Sequence, residues 1–217
     1  MKYTTALRIL ALFFFTSCVA NPKLSTPTIS VLDYVSNPEY NKECKNLNLP
    51  KYQGQLDFLG IYPGESTENF VKITVGDPTK VFSSGDEVSW YYDSREEMYF
   101  SVIFVSKIVK RINVDNMSKN DPSLFSIIEK YGCPNIIILL NTSEDQVGYN
   151  RIVFTYSEIG VEFWYEGIHV GFTSVPREIT YFKPTTLAVY VQNLEHFLFF
   201  GSSFMEPIDW NEVVISE

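Results

Sequence analysis

The chain has 217 residues, of which 45% are hydrophobic and 16% are aromatic, so it contains enough apolar material for a packed core. This composition excludes a chain that is disordered along its whole length. The formal net charge of -9 at pH 7 argues against binding of nucleic acid, because affinity for phosphates comes largely from lysine and arginine.

Residues 1–18 are predicted to be a signal peptide. A basic start precedes an apolar run over residues 9–15, and this run is too short to cross a bilayer as a helix of about 20 residues. Residues 15–18, Phe-Thr-Ser-Cys, resemble the lipobox of bacterial lipoproteins, in which the cysteine carries the lipid. We therefore expect an exported protein that is anchored to a membrane of the cell envelope through lipid on Cys18. The alternative is cleavage after Ala20, which would release a secreted soluble protein.

Residues 19–55 are polar, contain four prolines and lack a sustained hydrophobic period. They are predicted to be a tether between the lipid and the folded part of the chain. Two cysteines remain after Cys18, namely Cys44 in this segment and Cys133 further on. In an exported, oxidising setting this even number favours a disulfide between them, and two free thiols are the alternative.

Residues 56–117 are predicted to form a first repeat that consists of a helix and a sheet. Thr67 is suited to cap a short helix that ends before Gly76, and Pro78 prevents the helix from continuing. So short a helix is unstable alone and must pack on other structure. Aromatic and β-branched stretches at 88–92, 98–104 and 108–114 predict three antiparallel strands.

Residues 118–186 show the same order of features. Ser123 corresponds to Thr67 and Gly132 corresponds to Gly76 at the same interval, and this self-similarity indicates an internal duplication. Strands are predicted at 151–156, 160–165 and 178–182. The expected fold is therefore α+β with two tandem repeats, each a short helix followed by an antiparallel meander sheet of three to four strands.

Residues 187–217 are predicted to be a C-terminal extension that docks on the second repeat. Within it, residues 187–191 are apolar and partly β-branched, and they are predicted to form one more strand.

The motif of the two repeats resembles that of a known group of lipoproteins. A Gly-x-x-Thr turn, a short helix, Gly-x-Pro and an antiparallel meander are similar to the BamE/SmpA–OmlA lipoproteins of outer-membrane assembly. In tandem they resemble the β-lactamase inhibitor protein fold. The first copy carries the motif at Gly64, Thr67, Gly76 and Pro78, and the second copy begins at residues 121–123. This resemblance implies a non-enzymatic scaffold whose sheet face or loops bind an envelope protein partner.

The sequence contains no pattern that indicates catalysis or metal binding. His169 and His196 are the only histidines, and neither lies near a nucleophile motif or a cysteine. The acidic pairs at 96–97 and 144–145 fall in predicted loops, where nothing would raise a carboxyl pKa. We therefore expect no catalytic residue, no metal and no cofactor, and we predict that the protein is not an enzyme.

Two aromatic trios at 90–92 and 163–165 are the candidate binding residues. Alternate residues of a strand face opposite sides of a sheet, so some of these side chains leave the core unless both faces are covered. The predicted interaction surface consists of Trp90, Tyr91, Phe163 and Trp164, since aromatic residues are enriched in interface hot spots. The basic cluster Lys107, Lys110 and Arg111 is interpreted as a solvated strand face.

Together these features predict a membrane-anchored envelope lipoprotein that acts as a non-enzymatic protein-binding or structural module. The alternative is an extracytoplasmic solute- or glycan-binding protein that uses the cleft between the repeats.

Overall fold

A computed structural model describes residues 31–47, 49, 51–93, 99–115, 122–141, 150–198 and 204–215. The predicted signal peptide and the predicted lipidation site Cys18 lie outside the described residues. Within them, none of the helices combines the length and the apolar character that crossing a membrane requires.

Nine strands in this part of the chain form one antiparallel sheet. The strands are β1 (Lys80–Ser84), β2 (Glu87–Asp93), β3 (Tyr99–Val105), β4 (Ile108–Asp115), β5 (Ile136–Asn141), β6 (Arg151–Tyr156), β7 (Val161–Glu166), β9 (Glu178–Phe182) and β10 (Phe204–Pro207). Their order across the sheet is β1-β2-β3-β4-β9-β7-β6-β5-β10. Two short strands, β8 (Val170–Gly171) and β11 (Val214–Ile215), pair with each other in parallel outside this sheet.

The prediction of two tandem repeats, each with its own small sheet, is wrong. Strands β4 and β9 pair directly along their length, with Asp115 opposite Glu178 and Asn113 opposite Thr180. This pairing merges all strands into one continuous sheet. The physical reason is that each separate meander would leave an edge strand with unpaired backbone N–H and C=O groups. Strand β4 would be such an edge in the first meander and β9 in the second, and pairing them satisfies the backbone groups of both.

Short helices pack against both faces of the sheet. They are α1 (Val31–Val35), α2 (Lys42–Asn46), α3 (Glu68–Val75), α4 (Leu124–Tyr131), α5 (Leu187–Leu198) and α6 (Trp210–Val213). The predicted caps of α3 and α4 are confirmed: the Thr67 side chain accepts a hydrogen bond from the Phe70 backbone N–H, and the Ser123 side chain accepts one from Ser126. Gly76 and Gly132 follow these helices with positive φ angles of 90° and 80°.

The two faces of the sheet are covered to different extents. On one face α3, α4 and α6 pack against the buried side chains of β2 to β9, and Phe104 and Phe154 are fully buried there. On the other face α1 and α5 cover the end formed by β5 and β6 and reach Trp164 of β7 and Phe182 of β9. The uncovered part of this second face, from β2 to β7, is called the open face below. Side chains on the open face are available to a ligand.

The prediction of a strand at residues 187–191 is wrong, since this segment begins helix α5. Leu187, Tyr190, Val191 and Leu194 stand at helical spacing, and all four pack against β5, β6 and β7. A helix buries these four side chains together, whereas a strand would turn them alternately to opposite sides.

The segment predicted as a tether contains helices α1 and α2, and part of it is buried. The Tyr40 hydroxyl accepts a hydrogen bond from the Ile137 backbone N–H at 2.6 Å. Cys44 is fully buried and forms a disulfide with Cys133, with the two Cα atoms 5.8 Å apart. The segment is polar overall, so its composition did not indicate that Tyr40 and Cys44 anchor it to the fold.

Candidate ligand-binding face

Two pockets lie on this second face of the sheet, one on the open face and one at the edge of α5, and they share Trp164 as a common wall. The first has a volume of about 460 Å³ and is called the charged pocket. The second has a volume of about 550 Å³, lies between the sheet and α5, and is called the apolar pocket. The charged pocket is lined by Tyr91, Tyr99, Asp115, Arg151, Trp164, Tyr165, Glu166, Arg177 and Glu178.

The floor of the charged pocket contains two carboxyl groups on neighbouring strands. Asp115 on β4 is directly opposite Glu178 on β9, and like charges at directly opposed positions of a sheet are destabilising. Partial desolvation raises the pKa of both groups, although the Asp115 residue remains exposed at the surface, and the charge of Asp115 raises the pKa of Glu178 further. Arg151, whose Nη1 lies 4.0 Å from Glu178 Oε2, offsets only part of these shifts. The pair therefore holds negative charge that the pocket does not fully compensate.

Aromatic side chains form the walls of the charged pocket. Tyr91 and Tyr99 remain 43% and 42% exposed on β2 and β3, and Trp164 is half-buried on β7. At the rim Arg177 and Glu166 form an ion pair with a 3.4 Å separation between Nε and Oε1. The pocket thus combines flat aromatic surfaces with an acidic floor.

The apolar pocket has a buried acid at its base. Glu162 on β7 accepts hydrogen bonds from the Tyr190 hydroxyl of α5 and from Trp164 Nε1, the latter at 3.1 Å. Burial raises the pKa of Glu162 above its ordinary value of 4.5, and these two hydrogen bonds offset part of the shift. Both carboxyl oxygens already have partners, so Glu162 serves mainly to join α5 to the sheet.

The Glu162→Gln variant is expected to be more stable than the wild type at neutral pH. Above pH 4.5 the unfolded chain releases the proton of Glu162 before the folded chain does, so the free energy of unfolding falls as pH rises through this window. Glutamine removes this dependence and keeps groups that can pair with Tyr190 and Trp164. Urea unfolding from pH 4 to pH 8 measures the difference between the two proteins.

A matched control is Glu87→Gln, because the hydrogen bond from Lys110 lowers the pKa of Glu87. The ionised Glu87 side chain therefore stabilises the folded state above pH 4.5, and this contribution is lost as pH falls. Glu87→Gln is expected to be slightly less stable than the wild type at neutral pH, which is the opposite sign to Glu162→Gln. Parallel curves for Glu162→Gln and the wild type across the pH range would contradict the interpretation of Glu162.

The structure divides the predicted interaction surface between the two faces of the sheet. Tyr91 and Trp164 lie on the open face, where both line the charged pocket. Trp90 packs against Phe104 on the covered face with the ring centroids 4.7 Å apart. Phe163 is 2% exposed in the main core. Only half of the predicted surface is therefore available to a partner.

Sequence reasoning missed the charged residues of the site. Asp115, Arg151 and Glu178 are far apart in the chain, and the pairing of β4 with β9 together with the position of β6 brings them together. The sequence contained one weak indication of a polar sheet face. Arg111 and Asp115 lie on the same side of predicted strand 108–114 and its end, and the residues that alternate with them, Ile112 and Val114, are apolar. Nothing in the sequence indicated which strand would face them.

Comparison with known proteins yields little beyond this geometry. No family model matches the chain, and no curated protein matches it either. Among solved structures, a DUF4309 family protein, YjgB, from Bacillus subtilis matches with a TM-score of 0.41 and 14% identity, over 68% of this chain and 99% of that one. An extracellular protein containing a SCP domain from Bacillus anthracis matches with a TM-score of 0.40 and 10% identity, over 76% of this chain and 57% of that one.

The second of these proteins is described as extracellular. Neither match bears on the resemblance to the BamE/SmpA–OmlA lipoproteins, which stays a prediction.

Proposed function

We propose that this protein is an exported, lipid-anchored envelope protein that binds a partner protein with its open face and is not an enzyme. The proposal rests on one observation, the incompletely compensated carboxyl pair Asp115 and Glu178 between aromatic walls. The lipid on Cys18 would hold the open face near the membrane. The disulfide between Cys44 and Cys133 supports export, because such bonds persist in oxidising compartments.

The chemistry of the charged pocket favours a partner segment that carries a lysine or arginine. A cation placed between Asp115 and Glu178 would relieve their mutual repulsion and stabilise both ionised forms. Tyr91, Tyr99 and Trp164 offer aromatic faces that attract a cation and bury its alkyl stem. Desolvated charged contacts surrounded by aromatic residues are typical of interface hot spots.

Site-specific photo-crosslinking in intact cells tests this function. A photoreactive phenylalanine derivative in place of Tyr91 is expected to yield a discrete crosslinked protein, identified by mass spectrometry. The matched control is the same derivative in place of Phe125, which is 52% exposed on α4, a helix of the covered face. Both positions are accessible, so only the difference between the two faces of the sheet distinguishes them.

The carboxyl pair is then removed by the double substitution Asp115→Asn and Glu178→Gln. This change is expected to weaken binding of the identified partner by tenfold or more, since hot-spot contacts contribute about 2 kcal/mol or more. Stability is expected to change little, because the substitution also removes the repulsion between two like charges. The same crosslinked proteins from positions 91 and 125, or unaltered affinity in the double variant, would refute the proposal.

A second candidate function is the binding of an extracytoplasmic solute, and the apolar pocket is the observation that favours it. Its volume of about 550 Å³ is within the range of about 300 to 1,000 Å³ that is usual for small-molecule sites. Its walls are largely aliphatic and aromatic, with a few polar groups among them. Such a lining is typical of pockets that hold organic ligands.

A further inference from the structure

The walls of the apolar pocket are hydrophobic on both sides. Ile138, Leu140 and Val153 contribute from the sheet, and Leu194 contributes from α5. Phe182 and Trp164 close the pocket laterally. An apolar chain that entered this space would bury its surface against these side chains, at about 25 cal/mol for each Å² removed from water.

The rim of the apolar pocket is basic, although the chain as a whole has a net charge of -9. Lys110, Arg111 and Lys183 line it. Lys110 forms an ion pair with Glu87. Arg111 is exposed and forms no hydrogen bond or ion pair within the described part of the chain. Its charge lowers the pKa of the nearby Glu87, Glu162 and Glu178, but none of these carboxyl groups accepts a hydrogen bond from it in the described part of the chain. Its guanidinium can therefore still bind an anion through two parallel hydrogen bonds.

Two further features of the pocket bear on the charge of its ligand. Helix α5 begins just after Pro184 and Thr185, which line the pocket, so the positive end of its dipole lies at this rim. The acid in the pocket, Glu162, already accepts hydrogen bonds on both carboxyl oxygens from Tyr190 and Trp164. It is therefore not available as the partner of a cationic ligand.

We propose that the apolar pocket binds a long-chain carboxylate, with the alkyl chain between the sheet and α5 and the carboxylate at Arg111. This inference rests on the second candidate function, the binding of a solute in the same pocket, and it names the chemical class of that solute. The basic cluster that was interpreted as a solvated strand face thus provides the headgroup site through Arg111.

Calorimetric titration of the purified protein with decanoate, decanol and decyl phosphate, all below micelle-forming concentrations, tests the inference. Decanoate is expected to bind saturably and more tightly than decanol. Arg111→Gln is expected to weaken decanoate binding tenfold or more, because it replaces the charged two-hydrogen-bond contact with a neutral amide, and to leave decanol binding unchanged. The matched control Lys107→Gln removes an exposed cation of the same basic cluster outside the pocket and is expected to change neither affinity.

Tryptophan fluorescence assigns the binding to this pocket. Decanoate is expected to change the emission of the wild type, and Trp164→Phe is expected to abolish most of that change while binding persists. Equal affinities for decanoate and decanol, or an Arg111→Gln variant that binds decanoate normally, would overturn the carboxylate assignment and leave solute binding intact. Tighter binding of decyl phosphate than of decanoate would also overturn it. Failure of all three probes to bind would refute the solute-binding function together with this inference.

Discussion

Replacing Cys44 and Cys133 together with alanine is expected to lower the free energy of unfolding by about 4 kcal/mol. The disulfide joins residues 89 positions apart, and a crosslink across so long a loop strongly restricts the unfolded chain. In the folded state it connects helix α2 to the segment after α4, and Cys44 is fully buried beside Leu124 and Ile127 of that helix. Urea unfolding of the variant and the wild type measures the loss.

Reduction of the wild-type protein is the control for this prediction. Because alanine also removes the buried sulfur atom of Cys44 and the partly buried one of Cys133, the reduced wild type should lose somewhat less stability than the variant. A wild type whose unfolding midpoint does not respond to reductant would show that the bond contributes nothing to stability. The prediction applies to the isolated protein, so it does not depend on any partner or ligand.

Gly160→Ala is the second substitution with a large expected effect. Gly160 lies in the turn between β6 and β7 with a φ angle of +76°, and an added Cβ would lie 2.1 Å from the backbone oxygen of Phe182. The left-handed conformation is expected to cost about 1–2 kcal/mol. The overlap with β9 is expected to add about 1–3 kcal/mol, because a backbone atom has to shift.

The matched control is Gly85→Ala in the turn between β1 and β2. Gly85 has a similar φ angle of +61°, but no atom lies within 4 Å of the position of its added Cβ. This variant therefore carries only the conformational cost, and chemical denaturation of both variants isolates the contribution of the close contact. Equal losses of stability in the two variants would show that β9 accommodates the added methyl group at no cost in free energy of unfolding.

The contact at Gly160 also concerns the candidate site. The Phe182 backbone N–H donates a hydrogen bond to the Gly160 oxygen at 2.9 Å, and Phe182 and Pro184 line the apolar pocket. If β9 shifts in Gly160→Ala, the pocket wall shifts with it. We therefore expect decanoate binding to weaken in Gly160→Ala, whereas Gly85→Ala leaves it unchanged.

Helix ends and most strands could be predicted from the sequence, because their signals are local. The Thr67 and Ser123 caps satisfy backbone N–H groups only three residues away, so the residue type at one position was sufficient. Strand β5 was missed, although the apolar run at 136–140 is typical of a strand buried on both faces. Helix α5 was misread as a strand because an apolar run of five residues fits either structure.

By itself, the sequence determined the caps, the turns and the alternation of side chains along each strand. Only the tertiary structure decided that β4 pairs with β9, and this pairing placed Asp115 opposite Glu178. It also decided which aromatic residues are buried, because the helices cover most of one face of the sheet and only one end of the other. Strand order depends on contacts between distant segments, and no local signal encodes it.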